Sequence, residues 1–195
     1  MADKLVVDLD DYRDTHAPWA LPLLDRLRAD SGDRFRVTLF TIPGRTGDAT
    51  LQALKDRPWV EIAAHGWTHE GPECADWTLP RALEVLDACE SAGYAKVFKA
   101  PHWIAAPATY VALRERDWAI ADHPRNRLTI PRGLRRYVLA DDHRIGVPHG
   151  ILPVIQAHGH FTQEGVQNGL RENLAIFASL AQWGLPYAFV SEVAT

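Results

Sequence analysis

Short runs rich in Val, Ile and Phe alternate along the whole chain with longer stretches in which apolar residues recur every three to four positions. The first pattern is that of strands and the second that of amphipathic helices. The runs predict strands over residues 4–10, 34–42, 59–65, 96–100, 118–122, 136–140, 152–157 and 187–193. The periodic stretches predict helices over 19–28, 48–57, 79–91, 107–116 and 163–182. The helix over 79–91 has both ends written in the sequence: Thr78 stands as N-cap, Pro80 lies in the first turn and Gly93 follows the last. Strands and helices in alternation mean α/β architecture, either an open doubly wound sheet or a closed, distorted barrel. Residues 122–150, rich in Pro, Arg, His and Asp, break the pattern and predict loops and a hairpin. No linker, low-complexity tract or internal repeat interrupts the chain, so residues 1–195 are expected to form a single domain.

Composition narrows the function classes. Among 195 residues, 47% are hydrophobic and 24% charged, which excludes disorder as the main state. Lys and Arg number 21 against 25 Asp and Glu, and the densest basic run, Arg132-Gly133-Leu134-Arg135-Arg136, is too short to track a nucleic-acid backbone. No apolar run reaches a membrane-spanning length and no signal-peptide core follows Met1, so a cytoplasmic protein without nucleic-acid or membrane partners is expected. Cys74 and Cys89 match no zinc-knuckle spacing and read as incidental thiols.

In a parallel sheet, chemistry gathers beyond the C-terminal strand ends. Asp8, Asp10 and Asp11 lie at the end of the first predicted strand, and His65 and His69 at the third. Lys99, Pro101, His102 and Trp103 follow the fourth, and His158 and His160 follow the run over 152–157. The spacing of His65 and His69 lets both imidazoles turn toward one cation, with Asp10 or Asp11 as the carboxylate that completes a three-ligand site. The other aspartate of that pair is then available as a base. Trp67, Trp77 and Trp103 lie in or beside these segments, where aromatic faces can stack on a ligand or pack as core. Trp19, Trp59, Trp118 and Trp183 read as core. His16, His123, His143 and His149 read as surface or loop residues.

These segments resemble the polysaccharide deacetylases with NodB homology, carbohydrate esterase family 4. VVDLDDY is similar to the family's strand ending Thr-Phe-Asp-Asp-Gly, and His65-Gly-Trp-Thr-His69 to its His-(Ser/Thr)-x-x-His motif. FKAPHW resembles the Phe-Arg-x-Pro segment, and VIQAHGH the closing Leu-x-His. The resemblance implies a distorted (β/α) barrel of about seven strands. It implies that Asp11, His65 and His69 hold a divalent metal, zinc foremost, with cobalt, nickel or manganese as alternatives. Asp10 is then the catalytic base, His158 the acid with His160 as its alternative, and Lys99 the residue that tunes Asp10. Pro101, His102, Trp103, Trp67, Gln156 and His160 would contact substrate. The implied activity is hydrolytic removal of an acyl group, acetyl above all, from an N-acetylated sugar or polysaccharide.

Three positions depart from the pattern. Lys99 replaces the family's arginine, keeping charge but losing the planar fork. Gly66 replaces the small hydroxyl residue, and Gln156 the leucine of the acyl pocket. An amidase or esterase acting on a non-sugar substrate, and a non-catalytic sugar-binding relative, are the alternatives these departures leave open. The sequence does not indicate an oligomeric state.

Overall fold

In the computed structural model, which describes residues 4–123, 126, 130–138, 154–162, 165–166 and 184–194, seven parallel strands form a curled half-barrel with helices between them. The strands are β1 (Lys4–Tyr12), β2 (Val37–Thr41), β3 (Val60–His65), β4 (Val97–Lys99), β5 (Ala119–Asp122), β6 (Arg136–Val138) and β7 (Val154–Thr162), in the order β6-β5-β4-β3-β2-β1-β7. The short β8 (Gly165–Val166) runs antiparallel to β7, and β9 (Tyr187–Ala188) pairs parallel with the beginning of β1. The helices are α1 (Ala17–Ser31), α2 (Asp48–Lys55), α3 (Leu79–Ser91), α4 (Pro107–Glu115) and the single turn α5 (Val190–Val193). The α3 bounds match the sequence expectation, and the Thr78 hydroxyl accepts from the Arg81 amide as an N-cap.

Alternation along each strand separates two cores. Leu5, Val7 and Leu9 of β1, Leu39 of β2, Ile62 of β3 and Phe98 of β4 face outward and pack under the helices. Val6, Phe40, Ala63, Val97, Ala119, Tyr137 and Val154 face inward. Val190, Val193 and Ala194 close the inner core beside the start of β1. On β1, β3, β4 and β7 the inward positions turn polar towards the C-terminal ends, giving Asp8, Asp10, His65, Lys99, Gln156, His158 and His160.

Several sequence expectations are corrected. The strand expected over 152–157 continues to Thr162, so His158 and His160 lie within β7 rather than after it. The strand expected over 187–193 stops at Ala188, and Val190–Val193 forms a helical turn. There the Val190 amide donates to Thr38 Oγ1 at 3.0 Å and the Ser191 amide to Glu61 Oε1 at 3.2 Å, bonds that a continuing strand would not place. The helix expected over 163–182 begins with Gly165 and Val166 in a strand, and its remaining residues lie outside the described ones, as do Trp183, His143 and His149. His16 is buried and stacks on Phe161 with ring centroids 5.7 Å apart, instead of lying at the surface. Trp77 joins the outer core against Phe98. Among the described residues, no helix is long and apolar enough to cross a membrane.

Candidate active site

The Asp10-Asp11 pair depends on an irregularity in β1. Its register with β2 shifts between Leu9 and Tyr12, and Asp11 takes a left-handed conformation with φ of 69°. Regular alternation would send one aspartate inward and its neighbour outward. Here Asp10 keeps its inward position, Asp11 faces the strand-end cleft, and Tyr12 returns to the outer core.

Asp11 meets the two histidines of the third strand and its loop. Its Oδ1 lies 3.1 Å from His69 Nε2 and 3.4 Å from His65 Nε2, yet this buried oxygen makes no properly directed hydrogen bond. His65 Nδ1 is 3.1 Å from the Lys99 carbonyl oxygen. A carbonyl only accepts, so Nδ1 carries the proton and the Nε2 lone pair points at Asp11. A carboxylate oxygen and two imidazole nitrogens therefore converge, a donor set suited to a divalent cation such as zinc or cobalt. Burial opposes ionisation of Asp11, but its contacts with His160, His65 and His69 outweigh it and hold the carboxyl well below the usual range. The same contact with Asp11 raises His69 despite burial.

Glu73, which the sequence reading did not single out, shapes the His65–His69 loop. Its Oε1 accepts from the amides of Trp67, Thr68 and His69 at 2.8, 2.9 and 2.8 Å, and its Oε2 from the Thr68 hydroxyl at 3.0 Å. These bonds hold His69 at φ of 56°. They also explain Gly66. At φ of +63°, a Cβ there would stand 2.5 Å from Glu73 Oε1 and 2.6 Å from Pro101 Cγ, so the family's hydroxyl residue has no room. No local sequence pattern announces a carboxylate that serves a loop four to six residues before it.

Below the convergence point lies a buried charge network. Lys99 Nζ donates to Asp10 Oδ1 at 2.6 Å and to Asp8 Oδ2 at 3.1 Å, and sits 3.8 Å from the centroid of the Phe40 ring. Asp8 also accepts from Gln156 Nε2 at 2.5 Å and from His158 Nδ1 at 2.7 Å. Burial pushes both carboxyls up, and the Lys99 ammonium followed by His158 outweighs it, so both are held below their ordinary values. Asp8 was noted in the sequence only as a strand-end acid, and here it is the centre of the network. Gln156 is fully buried in it.

The two β7 histidines differ in setting. The His158 side chain is fully buried, with Nε2 3.7 Å from Asp10 Oδ2. The His160 side chain is 27% exposed, with Nδ1 3.2 Å from Asp11 Oδ2. Burial lowers the His160 imidazole, but Asp11 and Asp10 together raise it. Asp10, His158 and His160 form a second trio of possible metal donors. Lys99 already holds a positive charge 2.6 Å from Asp10, which disfavours a cation there.

The remaining expected site residues are partly assembled. His102 and Trp103 take left-handed conformations with φ of 55° and 63°, and they close one side of the cleft. The His102 ring centroid is 5.6 Å from that of His69, and Lys99 Nζ is 5.3 Å from the Trp103 ring. Pro101 is buried beneath Gly66. Trp67 packs beside Gly44, whose amide donates to the Trp67 carbonyl at 2.7 Å, and under Arg81.

No protein-family profile and no curated protein matches the chain. Solved structures share its fold, two carbohydrate esterases among them. A family 4 acetyl xylan esterase from Clostridium thermocellum, in complex with a cobalt ion, has a TM-score of 0.57 at 16% identity, covering 96% of this chain and 88% of its own. The Xyl-CE4 domain of a multidomain xylanase from the hindgut metagenome of Trinervitermes trinervoides has a TM-score of 0.56 at 14% identity, covering 98% and 89%. At such identities the likeness establishes the fold alone, and the chemistry must be argued from the site.

Proposed function

We propose that the protein is a metal-dependent hydrolase that removes an acyl group, acetyl foremost, from an acylated sugar. The observation that carries this reading is the convergence of Asp11, His65 and His69 beside Asp10, whose Oδ1 is tied to a buried ammonium. The cobalt ion and the acetyl xylan substrate class of the first structural neighbour support it. A divalent cation held by Asp11, His65 and His69, zinc foremost, would supply Lewis acidity to the acyl carbonyl and to a water molecule.

The chain's own groups supply the proton transfers. Asp10 accepts the proton of the attacking water through Oδ2, because Oδ1 is held by Lys99. Lys99 keeps that carboxyl ionised and oriented. Proton donation to the leaving group falls to His158 by its motif position, with its Nδ1 fixed on Asp8 so that Nε2 points towards Asp10. The greater exposure of His160 favours a second assignment, with His160 as donor and His158 as a positioning residue. Trp103 and His102 would line the sugar site.

Elemental analysis of protein purified without chelator, beside acetate release from acetylated xylan and from N-acetylated chitooligosaccharides, tests the reading. About one transition-metal ion per chain is expected, lost in His69→Ala and retained in Asp10→Asn, which should lose at least about 100-fold in turnover. Turnover that survives in metal-free protein or in Asp10→Asn would overturn it. His158→Ala and His160→Ala, assayed side by side, identify the donor as the variant with the larger fall in kcat at unchanged metal content.

A further inference from the structure

A second feature opens on the same face. Arg13, Thr15, His16 and Arg45 line a cleft of about 520 Å³, within the usual size range for small-molecule sites. Arg13 follows Asp11 by two residues at the end of β1. Arg45 ends the turn Pro43–Arg45 that follows β2, and this turn is bonded to the metal-site loop through the Gly44 amide and the Trp67 carbonyl at 2.7 Å. Both sides of the cleft are thus tied to segments that carry the Asp11–His65–His69 site, one through the chain and one through a loop hydrogen bond.

Its charge is poorly matched by the protein. Arg13 Nε is buried and meets no acceptor among the described residues, an unfavourable state for a buried donor. Of the nearby acids, Asp14 is engaged elsewhere. Both Asp14 carboxylate oxygens accept from the Gly47 amide, at 3.0 and 3.1 Å. Glu70 meets Arg45 at 3.2 Å, but its side chain is 75% exposed and the pair is a weak surface contact. Burial followed by the Arg13 charge pushes the His16 imidazole down, against Asp11. The fifteen-residue helix α1 starts immediately after His16 and adds the positive end of its dipole.

We propose that this cleft is an anion subsite, which holds a carboxylate or phosphate group of the substrate while the acyl group lies at the Asp11–His65–His69 site. The inference rests on the hydrolase reading and refines it: the preferred substrate is an acidic acylated sugar. A planar guanidinium in a partly dry cleft suits the two oxygens of such a group, and Arg45 adds charge at the rim.

Binding is measured by calorimetry, independently of turnover, with inorganic phosphate, N-acetylglucosamine, its 6-phosphate and N-acetylmuramic acid. At least one of the two acidic sugars should bind about tenfold or more tightly than neutral N-acetylglucosamine, the ratio one charge-assisted hydrogen bond confers. Which one does so separates phosphate from carboxylate recognition. The advantage should shrink with added salt, vanish in Arg13→Met, persist in part in Arg13→Lys and weaken in Arg45→Met. Circular dichroism and metal content identify any variant that fails to fold, and Arg45→Met then carries the test. Equal binding of neutral and acidic sugars, or an advantage that survives both Met substitutions, overturns the subsite. Arginine-dependent binding of acidic sugars with no acyl release would overturn the hydrolase reading and leave the subsite standing.

Discussion

Lys99 is the residue on which the buried chemistry turns. One ammonium stands between two fully buried carboxylates, 2.6 Å from Asp10 and 3.1 Å from Asp8, and its removal leaves two negative charges without a cation. Lys99→Met should therefore destabilise the fold by about 3–5 kcal/mol in urea titrations, the scale of a broken buried pair, and should lower turnover in the fraction that still folds. An unchanged unfolding midpoint would mean that Asp8 or Asp10 is held as a neutral acid. At this scale the sequence was informative about which side chains converge and silent about their partners. Asp10, Asp11, His65 and His69 are legible because motif and spacing are local. The bonds of Asp8 to Lys99, Gln156 and His158 join strands far apart in sequence, and no periodicity encodes them.

Among the elements, the loop after β3 shows how a departure from a motif can be structural. Gly66 leaves the space that the Glu73 carboxylate and Pro101 occupy, and Glu73 in turn fixes the amides of Trp67, Thr68 and His69. Removing that carboxylate frees the His69 backbone without touching a donor atom. Glu73→Ala should weaken metal affinity by about 10–100-fold, as loss of an orienting group does, measured by competition with a chromogenic chelator. An affinity equal to that of the parent would mean that the loop keeps its shape unaided. Gly66→Ser should be worse, because it adds both a clash and a strained left-handed φ. The two misjudged strands have related causes. The stretch from His158 to Thr162 reads as loop because its inward residues are polar, yet at the active end of a barrel polar inward positions are where chemistry belongs. The stretch over 187–193 has strand composition but is redirected by hydrogen bonds that its amides donate to Thr38 and Glu61, acceptors that only the assembled sheet supplies.

At the scale of the molecule, the alternation of strands and helices was enough to place the chain among α/β folds, and the half-barrel explains why the inner face has two ends of opposite character. The strand-end face carries the charges. The opposite end is closed by Val190, Val193 and Ala194, with one acid beneath them: Glu61, which accepts from Thr38 Oγ1 at 2.8 Å and from the Ser191 amide and hydroxyl. Burial pushes its carboxyl above the ordinary 4.5, against the hydrogen bonds from Ser191 and Thr38. A carboxyl raised in the folded state binds its proton more tightly there than in the unfolded chain. Its contribution to stability is full below the unfolded value and is lost as pH rises through the folded one. Glu61→Gln can keep all three partners, with Oε1 accepting and Nε2 donating to the Ser191 hydroxyl, and has no charge to bury. The variant should match the parent near pH 4 and exceed it in stability at pH 7, with a higher Tm there. Thermal unfolding across that pH range decides the matter. A gain that does not grow with pH would show that the C-terminal closure, rather than the ionised acid, sets the stability of this end of the barrel.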